Sequence, residues 1–316
     1  MRYVFRADAS FEIGSGHVMR TSAIAEEVIA RGLDAVFVGE VSDLLWISER
    51  IQNLGFREVI LDPRTFNADP KTDILILDSY TLDLNDNFLN MNSWYRIVTI
   101  VDDSTPQYPS NLIIKIDLMG NYQLELGCKV LTGPIYFPLR KILEKSVPSK
   151  IENTLLNILV VGGGTDIYGF AEVMCQILSE FQHQFKVRIF TNKELQFPHT
   201  KKIKVSPIGA QFDKFASKCD LVFTTASTTA VEFIALEKAI GIVCAVRNQE
   251  QFYKSLADLR IAAPIGKFEN GAWKMNLEKI HELVLSKESR ESLRQNCLGF
   301  MDFKGASRIV DEIQHL

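Results

Sequence analysis

Tyr3-Val4-Phe5-Arg6-Ala7 runs directly into Asp8-Ala9-Ser10-Phe11-Glu12-Ile13-Gly14-Ser15-Gly16-His17-Val18-Met19-Arg20, and this junction decides the fold. The first five residues read as a buried strand. Residues 17–31 read as a helix, and Gly32 stands where a helix stop is expected. Short apolar runs follow at 35–38, 58–61, 74–77 and 97–101. Runs of this kind are typical of buried parallel strands, which need helices on both faces. The predicted class is therefore α/β, doubly wound.

A polar, Lys-rich stretch at 139–154 interrupts the pattern. The pattern then restarts, with strands expected at 155–161, 187–190, 221–224 and 240–246. The reading is of two Rossmann-like domains, 1–145 and 150–316, facing a cleft. The length of 316 residues suits two domains. In open α/β sheets ligands bind beyond the carboxyl ends of the strands, so motifs at those ends carry the most weight.

Composition narrows the function. Hydrophobic residues make up 47% and charged residues 23%, a globular rather than a disordered balance. The net charge of −4 excludes a generally basic nucleic-acid binder. Five cysteines form no C-x-x-C pair, which speaks against a disulfide framework or a structural zinc site. Charge at Arg2 and Arg6 comes too early for a signal-peptide core, and no apolar run approaches the roughly 20 residues needed to span a bilayer. A cytoplasmic protein without stable membrane association is expected.

Six strand-end motifs could carry chemistry. In the first, Gly14 and Gly16 allow a tight turn before the helix. The dinucleotide fingerprint would want glycine at 19, where Met19 stands, so NAD is poorly supported. His17 opens the helix instead. The positive end of the helix dipole disfavours imidazolium, and a neutral imidazole can act as a general base. Arg20 lies on the same helical face and could hold an anionic or oxygen-rich substrate. The plainer alternative is a packing His17 and a solvated Arg20.

The second motif is Val160-Val161-Gly162-Gly163-Gly164-Thr165-Asp166, a strand running into glycines and an expected helix N-terminus. Free N–H groups there cradle phosphate, although no Gly-Lys-Ser/Thr ending makes it a P-loop. A plain turn capped by Thr165 or Asp166 is the alternative. In the third, Ala226-Ser227-Thr228-Thr229-Ala230-Val231-Glu232, the spacing favours a Thr229–Glu232 capping box over a ribose-binding carboxylate. The fourth, Leu77-Asp78-Ser79-Tyr80, presents a tyrosine at a strand end. The fifth, Val101-Asp102-Asp103, pairs two carboxylates that a strand would point to opposite faces, so no metal is expected. The sixth, Arg247-Asn248-Gln249, offers amides for sugar hydroxyls or acetamido groups, or is a polar turn.

Taken in order, Phe5-Arg6-x-Asp8-x-Ser10-x-x-Ile13-Gly14-x-Gly16-His17-x-x-Arg20, Asp78-Ser79-Tyr80, Val101-Asp102-Asp103, Gly133-Pro134-x-Tyr136, Gly163-Gly164-Thr165-Asp166, Ala226-Ser227, Glu232, Asn248-Gln249 and Asp302-x-x-Gly305-Ala306-x-Arg308 resemble a known family. It is the UDP-sugar hydrolases of pseudaminic acid biosynthesis, PseG and the related spore-coat protein SpsG. The resemblance is collinear over nearly the whole chain. It implies a GT-B fold related to the MurG-type glycosyltransferases. It also implies hydrolysis of UDP-2,4-diacetamido-2,4,6-trideoxy-β-L-altropyranose without metal or cofactor. The family's essential histidine falls on His17 and its active-site tyrosine on Tyr80. Its amide pair falls on Asn248 and Gln249, with Gly14, Gly16 and Arg20 on the sugar side. UDP would meet Gly163, Gly164, Thr165, Ser227 and Glu232. Thr81 stands where the family has glycine, and Phe137-Pro138 departs from its usual sequence. Two rivals remain, a glycosyltransferase using another acceptor and a non-catalytic nucleotide-sugar sensor.

Overall fold

The structure, a computed structural model, describes residues 1–41, 43–83, 85–102, 108–119, 128–146, 155–196, 202–209 and 212–316. Asp103 and residues 147–154 of the connector lie outside these residues. The chain divides into two compact units. One is Met1–Lys141 with Asp302–Leu316, and the other is Ile142–Met301.

The first unit contains β1 (Arg2–Ala7), α1 (Gly16–Ala30), β2 (Asp34–Val38), α2 (Leu45–Asn53), β3 (Glu58–Ile60), β4 (Asp73–Asp78), β5 (Arg96–Val101), β6 (Leu112–Lys115) and β7 (Lys129–Thr132). All pairings in its sheet are parallel, in the order β3-β2-β1-β4-β5-β6-β7. β1 explains why such strands read as unbroken apolar runs. Tyr3, Phe5 and Ala7 pack with Val18, Ile24, Ala25 and Val28 of α1. Val4, pointing the other way, packs with Leu75, Phe88 and Trp94. Each fully buried aliphatic side chain contributes at most about 1.5–3 kcal/mol relative to exposure. Gly32 ends α1 as expected, its N–H bonding Ile29 O while that of Leu33 bonds Val28 O.

The second unit repeats the plan with β8 (Leu156–Val161), α3 (Phe170–Ser179), β9 (Phe185–Phe190), β10 (Ile203–Ser206), α4 (Phe212–Ala216), β11 (Leu221–Thr225), α5 (Thr228–Ala235), β12 (Ala239–Cys244), α6 (Glu250–Asp258), β13 (Ala263–Glu269), β14 (Ala272–Met275), α7 (Leu277–Leu285) and α8 (Lys287–Cys297). The order is β10-β9-β8-β11-β12-β13-β14, with only β14 antiparallel. In each sheet the strand order reverses beside the first strand, at β1/β4 and at β8/β11. These are the switch points where α/β sheets open a ligand crevice.

The C-terminal helix α9 (Gly305–Gln314) corrects the expected boundary, because it belongs to the first unit rather than to 150–316. Ile309, Val310 and Ile313 bury against the α1 side of the first core. Arg31 bonds Ser307 O at 3.0 Å and Asp311 at 2.6 Å. Arg308 forks onto both oxygens of Asp302 at 2.7 Å and also bonds Ile135 O. A Cβ on residue 305 would lie 2.0 Å from Phe137 O, so only glycine allows the helix this approach. The Asp302/Gly305/Arg308 motif is thus a fastening of the chain end.

Candidate functional site

The register pairs Ala7 with Asp78, so the carboxyl ends of β1 and β4 lie side by side. The loop after β1 is fixed by its own polar groups. Ser10 Oγ accepts from the N–H groups of Glu12 and Ile13, and Gly14 N–H bonds Ser10 O at 2.8 Å. Asp8 receives Arg6 and the Glu40 N–H, tying this loop to the one after β2. Gly16 and His17 are then the first two residues of α1. His17 is 4% exposed and Asp78 is fully buried.

His17 Nδ1 lies 2.5 Å from Asp78 Oδ1. A carboxylate accepts, so Nδ1 carries the proton and donates. In the neutral ring Nε2 is then the open acceptor. Arg20 donates Nε to Asp78 Oδ2 and Nη2 to Oδ1, both at 2.8 Å, and Nη1 to Asp102 Oδ2 at 3.4 Å. The 3.1 Å approach of Arg20 Nη2 to His17 Nδ1 brings two N–H groups together and is no bond, because both serve the same oxygen. Burial pushes the Asp78 carboxyl up, but Arg20 and His17 outweigh it and hold the group below the usual carboxylate range. Asp78 therefore stays ionised at neutral pH.

Tyr80 completes the cluster. Its hydroxyl donates to Asp102 Oδ2, and its ring meets that of His17 edge-on, centroids 4.2 Å apart. Burial raises the phenol above its usual value, and the Asp102 charge adds to this against the pull of Arg20. Tyr80 thus remains protonated rather than acting as a phenolate base.

Arg20 is 8% exposed, with its guanidinium bonded to Asp78 and Asp102. Asp78 is the residue of this cluster that the sequence does not single out. It lies 61 positions from His17, and only the β1–β4 adjacency brings the two together.

At the second switch point the glycine motif makes a turn, not the expected helix start. α3 begins only at Phe170, with Gly169 as its N-cap. Gly163 has φ +84°, and a Cβ on it would lie 3.5 Å from Thr225 Oγ1. Thr225 Oγ1 bonds Ser227 Oγ at 3.0 Å. Gly163, Thr225 and Ser227 are thereby brought together, with Gly164 and Thr165 in the same turn. The expected capping box is absent, because α5 starts at Thr228 with Ser227 as N-cap. Glu232 is instead the fifth residue of α5, 4% exposed. Asn248 is exposed in a short turn at Arg247–Gln249, while Gln249 uses its Oε1 to accept the Ala245 N–H.

Asp166 supports the glycine turn from beneath. Its carboxylate accepts the Ala171 N–H at 3.2 Å and the Thr191 hydroxyl at 3.4 Å. A Cβ on residue 162 would lie 2.1 Å from Asp166 Oδ1. Burial pushes this carboxyl up to about 6 from an ordinary 3.8. A raised value stabilises the fold below 3.8, and the contribution is lost as pH rises through 6. Asp166→Asn keeps an acceptor and tolerates the φ of +47°. It is expected to raise stability at pH 7.5 by about 1–2 kcal/mol, with the gain gone at pH 4. Chemical denaturation at the two pH values measures it.

Among the described residues no three metal-ligating side chains cluster. Nor is any helix long and apolar enough to cross a membrane.

Comparison with known proteins bears first on the architecture. MurG from Acinetobacter baumannii superposes with a TM-score of 0.64 over the whole of both chains, at 15% identity. The kitacinnamycin glycotransferase gives 0.68 over 99% of this chain and 98% of its own, at 10% identity. The fold is GT-B. A curated relative from Campylobacter jejuni, UDP-2,4-diacetamido-2,4,6-trideoxy-β-L-altropyranose hydrolase, is 22% identical over 266 residues, covering 79% of this chain and 94% of its own. No protein-family model matches. In GT-B terms, the Asp78–His17–Arg20–Asp102–Tyr80 cluster lies in the N-terminal Rossmann-like domain and the glycine turn in the C-terminal one.

Proposed function

We propose that the chain is a UDP-sugar hydrolase acting on UDP-2,4-diacetamido-2,4,6-trideoxy-β-L-altropyranose, as in pseudaminic acid biosynthesis. The observation that carries the reading is the buried Asp78–His17 pair at the β1/β4 switch point, which leaves Nε2 as proton acceptor. The likeness to the Campylobacter jejuni hydrolase supports the substrate.

His17 Nε2 takes a proton from water as the water oxygen bonds to the anomeric carbon. The bond from that carbon to the diphosphate oxygen breaks, and UDP leaves with the electron pair. A single displacement inverts the anomeric configuration. Asp78 stabilises the imidazolium that forms, and the proton then passes to solvent. The turn at Gly163, Gly164 and Thr165, with Ser227, receives the diphosphate through N–H and hydroxyl donors, which offset charge growing on the leaving group. Glu232 accepts the ribose hydroxyls. Asn248 and the amide nitrogen of Gln249 address the acetamido groups, and Gly14 and Gly16 let the sugar approach the backbone.

Proton NMR of the anomeric signals, with the UDP-sugar and the purified chain, is the test. Release of UDP and of free sugar with inverted first-formed configuration is expected, at a rate EDTA leaves unchanged. Release that requires an added acceptor would make the chain a glycosyltransferase. Binding without turnover would make it a sensor.

A further inference from the structure

Resting on that hydrolytic reading, we propose that Asp102 is a positioning residue that sets the direction of the Tyr80 hydroxyl bond, so that Tyr80 Oη meets the attacking water as an acceptor. A phenol has one O–H donor and lone pairs for accepting. Tyr80 gives its single proton to Asp102 Oδ2, so only its lone pairs face any other partner. Asp102 holds this position because its Oδ2 also receives Arg20 Nη1, and Arg20 is itself forked onto Asp78. The chain of bonds thus sets the direction of two acceptors carried on neighbouring rings. Asp78 turns His17 so that Nε2 accepts, and Asp102 turns Tyr80 so that Oη accepts.

A nucleophilic water has two protons. One goes to His17 Nε2 during attack, and the other needs an acceptor that holds it without taking it. Tyr80 Oη serves because a phenol oxygen is far less basic than imidazole. With both protons engaged, a water lone pair is left for the anomeric carbon. Without Asp102 the hydroxyl turns and donates to the water, and a lone pair is spent in the wrong direction. Among the described residues, the charged and titratable groups facing His17 are Asp78 at the end of β4, Arg20 on α1, Tyr80 after β4, and Asp102 after β5 through Arg20 and Tyr80.

Asp102→Ala tests this. The same Oδ2 accepts from both Tyr80 and Arg20 Nη1, so an asparagine would keep both bonds through its amide oxygen, whereas alanine leaves the Tyr80 hydroxyl to turn and donate to the water. The expected result is a kcat lower by about 10- to 100-fold with KM within about threefold. Tyr80→Phe should fall similarly, and the double variant should be no slower than Tyr80→Phe alone. Multiplying losses, or a kcat within about twofold of wild type, would overturn the proposal. A second readout does not need turnover. In protein carrying carbon-13-labelled tyrosine, the Tyr80 Cζ resonance is identified by its loss in Tyr80→Phe. It should move when Asp102 becomes Ala, and an unmoved signal overturns the assigned bond direction. A wild type that releases no UDP while this resonance still moves would refute the hydrolytic reading and leave the Asp102–Tyr80 bond standing.

Discussion

Asp78→Asn is expected to lower kcat for UDP release by about 100- to 10,000-fold, with the protein still folded and UDP affinity unchanged. The magnitude follows from what the carboxylate does twice. In the ground state it accepts from His17 Nδ1 and twice from Arg20, using lone pairs on both oxygens. A carboxamide replaces one of those oxygens with an NH₂, which cannot accept. If that NH₂ faces His17, it drives the proton onto Nε2, and the base is lost. During reaction the native carboxylate also offsets the imidazolium charge in a site where Asp78 is fully buried and water does not screen it. His17→Asn removes the base itself and should cost as much. Because the two residues act as a unit, the double variant should be scarcely slower than either single one. Steady-state kinetics on all three, with UDP binding by calorimetry, measures this. Near-wild-type kcat in a folded His17→Asn would remove His17 from the chemistry.

The buried parallel strands were legible because burial on both faces leaves continuous apolar runs, as in β1 and β4. The β13–β14 hairpin has a local signal of its own. Asn270-Gly271 is a two-residue turn with both φ positive, 53° and 79°. Other features have no local signature. α9 returns to the first unit because Ile309, Val310 and Ile313 complete a core formed by residues some 280 positions earlier, such as Val28. Thr229 and Glu232 have capping-box spacing, yet the backbone turns two residues sooner, at Ser227. The glycine spacing predicts a helix start, but Asp166 delays α3 by reaching forward to the Ala171 N–H. At the candidate site, His17, Arg20, Asp78, Tyr80 and Asp102 were all visible as strand-end or helix-start residues. Their partnership was not, since it depends on β4 being inserted next to β1. Strand order is a property of the sheet and not of any segment.

The same cluster predicts a large effect on stability. Arg20→Met should destabilise the first unit by about 3–5 kcal/mol near pH 8, because it leaves a fully buried carboxylate without its bidentate partner. In the wild type the Asp78 carboxyl is held below its ordinary value, so its contribution is present at neutral pH and is lost only as pH falls through that lowered value. In Arg20→Met the burial that opposes ionisation is no longer outweighed, and the carboxyl rises above the ordinary value. Its contribution is then present in acid and lost as pH rises. The gap between the two proteins should therefore narrow toward acid and widen toward alkali, and urea denaturation at several pH values reads it. Replacing both members, as Arg20→Met with Asp78→Leu, removes the charge together with its partner and should recover most of the loss.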